Sequence, residues 1–309
     1  MSGRRRGSFG LLLLGALLLA VGVGGGAWWL FERKVRAPEP APAPAAPAPA
    51  PEAPSQPVVV GFEGAVERSD PGEDWRPVQL GERLRAEAAI RTGQGGKAEL
   101  AVGERSRITV AERSQVAVRE VTAAVQRWKL VRGRIGVDHQ AGGERTLRIE
   151  SEDGVAAESR GGRFSVLAAG DGLAVAAEAG TVDLAAAGKA VAVAAGEQAA
   201  ARPGVAPEPA RPIPAALLLK VARAGAEPSG ACARLRGTTD PGAEVRVDGE
   251  PVASGGGRFD ALVPGRPGKR EALVTVRDAA GRVAERRLRC GEPPDISDLQ
   301  VRWKRGQAN

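Results

Sequence analysis

Few residues in this chain have the types and spacing that catalysis or ligand binding requires. Its 309 residues include one histidine, two cysteines and no tyrosine. The stretch that most suggests chemistry is IRTGQGGKAEL, residues 90–100, where glycines precede Lys97 as in a phosphate-binding loop. That loop requires Gly, four further residues, then Gly-Lys followed by Ser or Thr. Arg91 and Ala98 stand where the first Gly and the hydroxyl should be. We therefore interpret the stretch as a Gly-rich turn between two strands.

Other catalytic arrangements are equally poorly supported. His139 is the only histidine, so it cannot form a histidine-based metal cluster. Its neighbours, GVDHQAGG, indicate a strand running into a turn, and we expect the side chain to be exposed. No paired carboxylates and no Ser-His-Asp set stand out. We therefore expect a protein that is not an enzyme and has neither cofactor nor metal.

The net charge of +7 raises the question of a nucleic-acid partner. Part of this charge flanks an apolar segment near the N-terminus. The remaining arginines are scattered along predicted strands, where they alternate with acidic residues. The sequence contains no basic helix and no aromatic RNA-binding signature. We expect no nucleic acid among the partners.

An uncharged apolar run, residues 9–31, follows the cluster Arg4–Arg6. As a helix, these residues would extend about 34 Å, enough to cross the hydrocarbon core of a bilayer. Trp28 and Trp29 at its far end are typical of interfacial anchors. The sequence predicts a single-pass inner-membrane protein with residues 1–8 in the cytoplasm and the bulk in the periplasm.

Two further interpretations of this segment stay open. Gly25 and Ala27 are small residues of the kind that precede a signal-peptide cleavage site, so the segment could be removed. Gly22 and Gly26 form a GxxxG motif, which can bring two helices together and would make a homo-oligomer. The Pro/Ala-rich residues 37–57 favour an extended spacer between the membrane and the folded region.

From residue 58 the sequence changes to short candidate strands separated by Gly or charged turns. Regular short strands without intervening helices predict an all-β domain over residues 58–199. Both a sandwich and a solenoid fit the spacing. The strands are rich in alanine, and small side chains favour a narrow β-solenoid or roll.

Motifs in the expected order identify this region as similar to the FecR domain, over about residues 61–198. The resemblance begins with a Trp, a Gly and an RTG turn, continues with a small-residue strand and a strand pair, and closes with Gly-rich elements. The matching positions are Trp75, Gly81, Arg91-Thr92-Gly93, Ala98–Val102, Ile108, Val110, Val116, Val118, Gly133, Gly180, Gly196 and Glu197. The resemblance implies the fold and the envelope compartment of that family.

The regulators that name this family relay an envelope signal to transcription through a cytoplasmic anti-sigma segment. About eight residues precede the apolar run here, and we expect no such segment in them. The function expected first is therefore that of a non-catalytic, membrane-anchored envelope protein whose β domains bind a protein or envelope component. A FecR-type signal relay is the alternative.

A second Pro-rich stretch, residues 200–214, predicts a linker before another strand-rich module, residues 215–291. Asp248-Gly249 between two short strands is a strong hairpin signal. The module resembles the immunoglobulin-like domains of bacterial surface proteins and is expected to be a β-sandwich. The residues that carry this resemblance are Leu235, Gly237, Thr238, Pro241-Gly242, Val245, Val247, Gly249, Gly257, Phe259, Asp278 and Gly281-Arg282.

The two cysteines, Cys232 and Cys290, bracket this second module. With no histidine nearby, metal binding and nucleophilic catalysis both lack a second group. A structural disulfide fits an oxidising periplasm.

The last residues, 292–309, form a polar tail with one apolar pattern. Leu299, Val301 and Trp303 alternate with polar residues, as in a half-buried strand. The tail is either unpacked or a strand that adds to an exposed sheet edge, and these three residues are the candidate partner contact.

Overall fold

The structure is a computed structural model and describes residues 56–122, 124–140, 145–170, 172–224, 231–265 and 270–290. All of them lie in one compact unit, Glu52–Asn309. Their regular secondary structure consists of β-strands alone, which confirms the all-β prediction. The predicted membrane segment 9–31, nearly all of the spacer 37–57 and the tail 292–309 lie outside the described residues. Among the described residues, no helix has the length and apolarity needed to cross a membrane.

Fifteen strands form the first β domain. They are β1 (Val58–Glu63), β2 (Val66–Ser69), β3 (Arg76–Pro77), β4 (Ala89–Thr92), β5 (Lys97–Val102), β6 (Ser106–Val110), β7 (Gln115–Val121), β8 (Val125–His139), β9 (Thr146–Glu150), β10 (Ala156–Ser159), β11 (Gly162–Ala169), β12 (Gly172–Ala186), β13 (Lys189–Ala194), β14 (Glu197–Ala201) and β15 (Arg211–Pro212).

Two long strands, β8 and β12, carry the chain between the two layers of this domain. In β8, the half before Gly133 pairs with β7 and β9, and the half after it pairs with β6 and β11. In β12, the half before Gly180 pairs with β11 and β14, and the half after it pairs with β10 and β13. Both glycines have positive φ, at 78° and 77°. Glycine adopts this conformation without steric cost, so each long strand can bend there and contribute to both layers.

The two layers enclose one apolar core. Trp128 and Leu130 reach it from the first half of β8, and Ile135 and Val137 from the second half. The alternation of buried positions shifts by one residue at Gly133, which keeps the buried side of both halves on the same core. Pairing is antiparallel throughout the named strands of this domain except between β8 and β9. The all-β class is thus confirmed, and the choice among the predicted solenoid, roll and sandwich stays a prediction.

The stretch IRTGQGGKAEL forms the turn that the sequence predicted. Strand β4 ends at Thr92, β5 begins at Lys97, and the N–H of Gly93 donates to Ala65 O at 2.8 Å. A Cβ at Gly96 would lie 2.6 Å from that same carbonyl oxygen, so only glycine fits there. A strand and not a helix follows the turn, as expected for an architectural element.

Eight further strands form the C-terminal module. They are β16 (Leu219–Arg223), β17 (Ala231–Thr239), β18 (Glu244–Val247), β19 (Glu250–Val252), β20 (Ser254–Gly255), β21 (Arg258–Pro264), β22 (Glu271–Arg277) and β23 (Val283–Arg289). They make two four-stranded sheets, in the orders β16-β17-β21-β20 and β19-β18-β22-β23. Residues of both sheets share one core, which includes Leu235, Phe259 and Val274.

The hairpin predicted at Asp248-Gly249 is confirmed. The two residues have φ of 52° and 87°, and Val247 pairs with Glu250 across the turn. The Pro-rich segment 200–214 folds back on the first domain. Glu208 N–H donates to Ala200 O at 2.9 Å, and Ile213 N–H donates to Gly196 O at 2.9 Å. The immunoglobulin-like assignment and the domain bounds stay predictions.

Candidate functional site

The C-terminal module packs against the outer side of the first domain. In β12, Leu173, Val175 and Ala177 face the core, while Ala174 and Ala176 on the opposite side are also buried. A small cluster covers this second side: Leu167, Ala174, Ala176 and Ala200 from the first domain with Ala279 from the C-terminal module. Small side chains allow the two backbones to approach closely. We call this contact the junction.

Glycine is required where the modules touch. A Cβ at Gly242 would lie 2.7 Å from the Cβ atoms of both Ala174 and Ala200. A Cβ at Gly281 would lie 2.8 Å from the guanidinium of Arg134. Both glycines have positive φ, at 75° and 84°. They serve both backbone conformation and close packing.

Polar groups fix the register of the junction. Arg134 Nε donates to Ala279 O at 2.9 Å, and burial lowers the pKa of Arg134. Arg277 forms an ion pair with Glu112, whose other oxygen accepts the N–H of Gly95 at 2.9 Å. The hydrogen bond from Arg277 lowers the pKa of Glu112, so this carboxyl is ionised at neutral pH. Glu112 thereby ties the Gly-rich turn to the C-terminal module.

A cleft of about 950 Å³ opens beside the junction. Its walls come from Thr92 and Gly93 at the end of β4, from Val131 and Arg132 just before the bend of β8, from the end of β11, and from β18, β19 and β20. Arg113 and Arg132 line it from the first domain, and Arg246 and Glu250 from the C-terminal module. Both β modules therefore contribute to one concave surface.

His139 is not exposed, and the prediction of a surface histidine is wrong. Only 4% of its surface is accessible, because β8 places it on the core side in register with Ser106 of β6. Its Nδ1 lies 2.7 Å from Ser106 Oγ, its Nε2 lies 3.2 Å from Arg145 O, and Gln126 Nε2 donates to Ser106 Oγ at 3.0 Å. Burial lowers its pKa. The contacts fit a neutral ring that accepts at Nδ1 and donates at Nε2, which is a structural role.

The structure joins Cys232 and Cys290 in a disulfide, which confirms that prediction. Leu299, Val301 and Trp303 lie outside the described residues. Within the part of the chain that the structure describes, no three or more His, Cys, Asp or Glu side chains are grouped as metal ligands. The expectations of no metal and no cofactor stay predictions.

We did not predict the junction from the sequence, although the sequence contains one signal for it. Residues 173–177, LAVAA, are apolar without alternation, which is typical of a strand buried on both faces. That pattern could have predicted a second contact surface on β12. Glu112, Arg134 and Arg277 carry no comparable local signal, because they are brought together only by the packing of distant strands.

Comparison with known proteins agrees with the first domain. Residues 88–183 match the model of the family described as FecR protein. Two crystal structures of a proposed anti-sigma factor from Parabacteroides distasonis ATCC 8503 align with 12% identity and a TM-score of 0.36, over 40% of this chain. This chain spans 59% of the length of those structures, and a similarity at this level does not support the assignment of a function. No curated protein matches the chain. The family match, together with the motifs at Gly93, Gly133 and Gly180, shows that residues 88–183 are similar to a FecR domain.

Proposed function

We propose that this protein is a non-catalytic envelope protein that presents its FecR domain and its C-terminal β module, as one body, to a protein or envelope partner. Residues 9–31 anchor it in the inner membrane, and the spacer 37–57 holds the body away from the bilayer. The observation that carries this proposal is the buried junction between the two modules. A FecR match also points to a regulatory rather than an enzymatic family.

The junction supports a binding role through pre-organisation. Two modules on a flexible linker would lose conformational freedom when a partner contacted both. Here the packing of Ala174 and Ala200 against Gly242 and the Arg277–Glu112 ion pair already fix their relative position. A partner that touches both modules therefore binds without that entropic cost.

Photo-crosslinking in cells tests the proposal. A photoreactive residue is placed in the full chain at Leu80, at Arg132 or at Arg286, all three of which are exposed. We expect a discrete crosslinked partner from at least one position, and a chain that stays with the membrane after a high-salt wash. In spheroplasts, added protease should digest residues 37–309. No adduct from any position, or a C-terminal module protected from protease, contradicts the proposal.

A second candidate, the FecR-type signal relay, is favoured by the family match over residues 88–183. In that case the junction would transmit a partner's binding to a cytoplasmic regulator. Transcript levels in cells lacking the chain are compared with those in complemented cells. A relay predicts that a small set of genes changes reproducibly, and unchanged transcripts contradict it.

A further inference from the structure

We propose that the cleft between the FecR domain and the C-terminal module binds a short acidic peptide segment of a protein partner, with Arg113 and Arg132 as carboxylate ligands. The inference rests on the proposed binding function and names its site and its ligand class.

The first argument is the state of the arginines in the cleft. Arg246 is satisfied within its own wall, since it donates to Gly249 O at 2.9 Å and to Glu244 at 2.5 Å. By contrast, the guanidinium groups of Arg113 and Arg132 form no hydrogen bond or ion pair with any residue that the structure describes. Arg113 nevertheless reaches the opposite wall, because a Cβ at Gly249 would lie 3.7 Å from its Nη2. Guanidinium groups in this state are well suited to bidentate binding of carboxylates.

The second argument is the shape and lining of the cleft. A volume of about 950 Å³ is at the upper end of the range for small-ligand sites and gives room for several residues of peptide. An apolar strip lies next to the two arginines. Val131, which is 39% exposed, contributes to it from the first domain, and Pro251, Val252 and Ala253 contribute from the opposite wall. None of the residues lining the cleft is aromatic, so sugar rings would find no stacking surface. A ligand that carries both apolar and acidic groups would match this lining, and a peptide meets that requirement better than a glycan does.

The third argument concerns how the peptide is held. The two-residue turn at Asp248-Gly249 makes Val247 and Glu250 the first hydrogen-bonded pair, so the backbone of Pro251 points away from β18. Proline has no N–H, and the free edge of β19 therefore lacks its central donor. Strand addition at this edge is disfavoured. Affinity and specificity must come from the side chains, chiefly from the two arginines.

Contacts around the cleft fix the relative position of its two walls. Arg113 follows Glu112, which pairs with Arg277, and its own N–H donates to Gly93 O at 3.0 Å. Gly170 and Ser254 close the cleft at one end, where a Cβ at Gly170 would lie 2.8 Å from Ser254 O. The backbone that carries Arg113 is thus held in place, which limits the backbone entropy lost on binding.

The test measures binding of labelled peptides to the full chain by fluorescence anisotropy. The probe is a hexapeptide in which two glutamates alternate with valine and alanine, and its matched control has glutamine at both acidic positions. We expect a Kd below about 1 mM for the acidic peptide, weakening with salt. The glutamine peptide should bind at least about tenfold more weakly.

Variants assign the effect to the cleft. Arg113→Gln and Arg132→Gln should each weaken the acidic peptide by about tenfold, the scale of one lost charge-assisted contact. Arg286→Gln is the matched control, since Arg286 lies on the exposed edge strand β23, at the other end of the sheet from β19. The double variant Arg113→Glu/Arg132→Glu should reverse the preference, so that a peptide with two lysines binds better than the acidic one. This reversal cannot arise from misfolding.

Several results would overturn the inference. They are no binding of the acidic peptide at about 1 mM, equal weakening by Arg286→Gln, or preferential binding of oligogalacturonate, a carboxylated sugar. If peptide binding fails but in-cell crosslinking from Leu80 or Arg286 still captures a discrete partner, the cleft assignment is wrong and the binding function stands. If neither is observed, both are wrong.

Discussion

Replacing Gly242 by alanine should weaken the junction more than the backbone conformation alone would explain. Gly242 has φ of 75°, and a non-glycine residue there costs about 1–2 kcal/mol. In addition, its new Cβ would lie 2.7 Å from the Cβ atoms of Ala174 and Ala200. Relief of such overpacking costs about 1–3 kcal/mol. The expected total loss is therefore about 2–5 kcal/mol.

Gly188 provides the matched control for this substitution. It has φ of 72°, and nothing lies within 4 Å of the position that a Cβ would occupy. Gly188→Ala therefore has only the conformational cost. The free energy of unfolding, measured by urea titration of the full chain, should fall further for Gly242→Ala by about 1–3 kcal/mol. Hydrogen exchange should accelerate at Ala174 and Ala176, while the core of the C-terminal module around Val274 stays protected. Equal losses in the two variants would refute the packing argument.

Three further predictions follow from other contacts. Burial lowers the pKa of His139 below its value in the unfolded chain, so the free energy of unfolding should fall as pH drops below about 6.5. In urea titrations at several pH values, His139→Gln should flatten this dependence. If the free energy of unfolding of the variant changes with pH as steeply as that of the unaltered protein, the account of a buried ring is wrong. Glu112→Gln and Arg277→Gln should each destabilise the junction, with a coupling of about 0.5–3 kcal/mol in a double-mutant cycle, whereas additive effects would mean that the ion pair contributes nothing. Reducing the Cys232–Cys290 disulfide, which closes a separation of 58 residues, should destabilise the C-terminal module by about 4 kcal/mol and leave hydrogen exchange unchanged in the core of the first domain around Ile149, away from the junction.

Local features of the fold could be predicted from the sequence because they depend on neighbours in the chain. The turn at Gly93–Gly96 and the hairpin at Asp248-Gly249 follow from glycine's access to positive φ and from the apolar alternation on each side. The same reasoning separates Lys97 from a phosphate-binding lysine, since a strand follows it. Family motifs then extend the resemblance to the FecR domain over about residues 61–198, of which residues 88–183 match the family model.

The candidate site depends on residues that are far apart in sequence. Arg277 is 165 positions from Glu112, and Arg134 is 145 positions from Ala279. No local periodicity specifies such pairs, because they exist only after two separately patterned modules have docked. The sequence does contain the apolar part of this contact, in the unbroken run 173–177, but it does not indicate which surface covers that run.

The prediction for His139 failed because it gave more weight to the flanking polar residues than to the apolar alternation of the strand. Ile135, Val137 and His139 are spaced by two, so strand geometry places all three on one face, and the first two are plainly apolar. The polar, Gly-rich residues that follow suggested instead that the strand had already ended. A buried imidazole needs partners at both nitrogens, and β6 supplies one of them, in Ser106, only through long-range pairing. The alternation therefore predicts the burial of His139 correctly, and pairing with β6 supplies a hydrogen-bond partner that the buried imidazole needs.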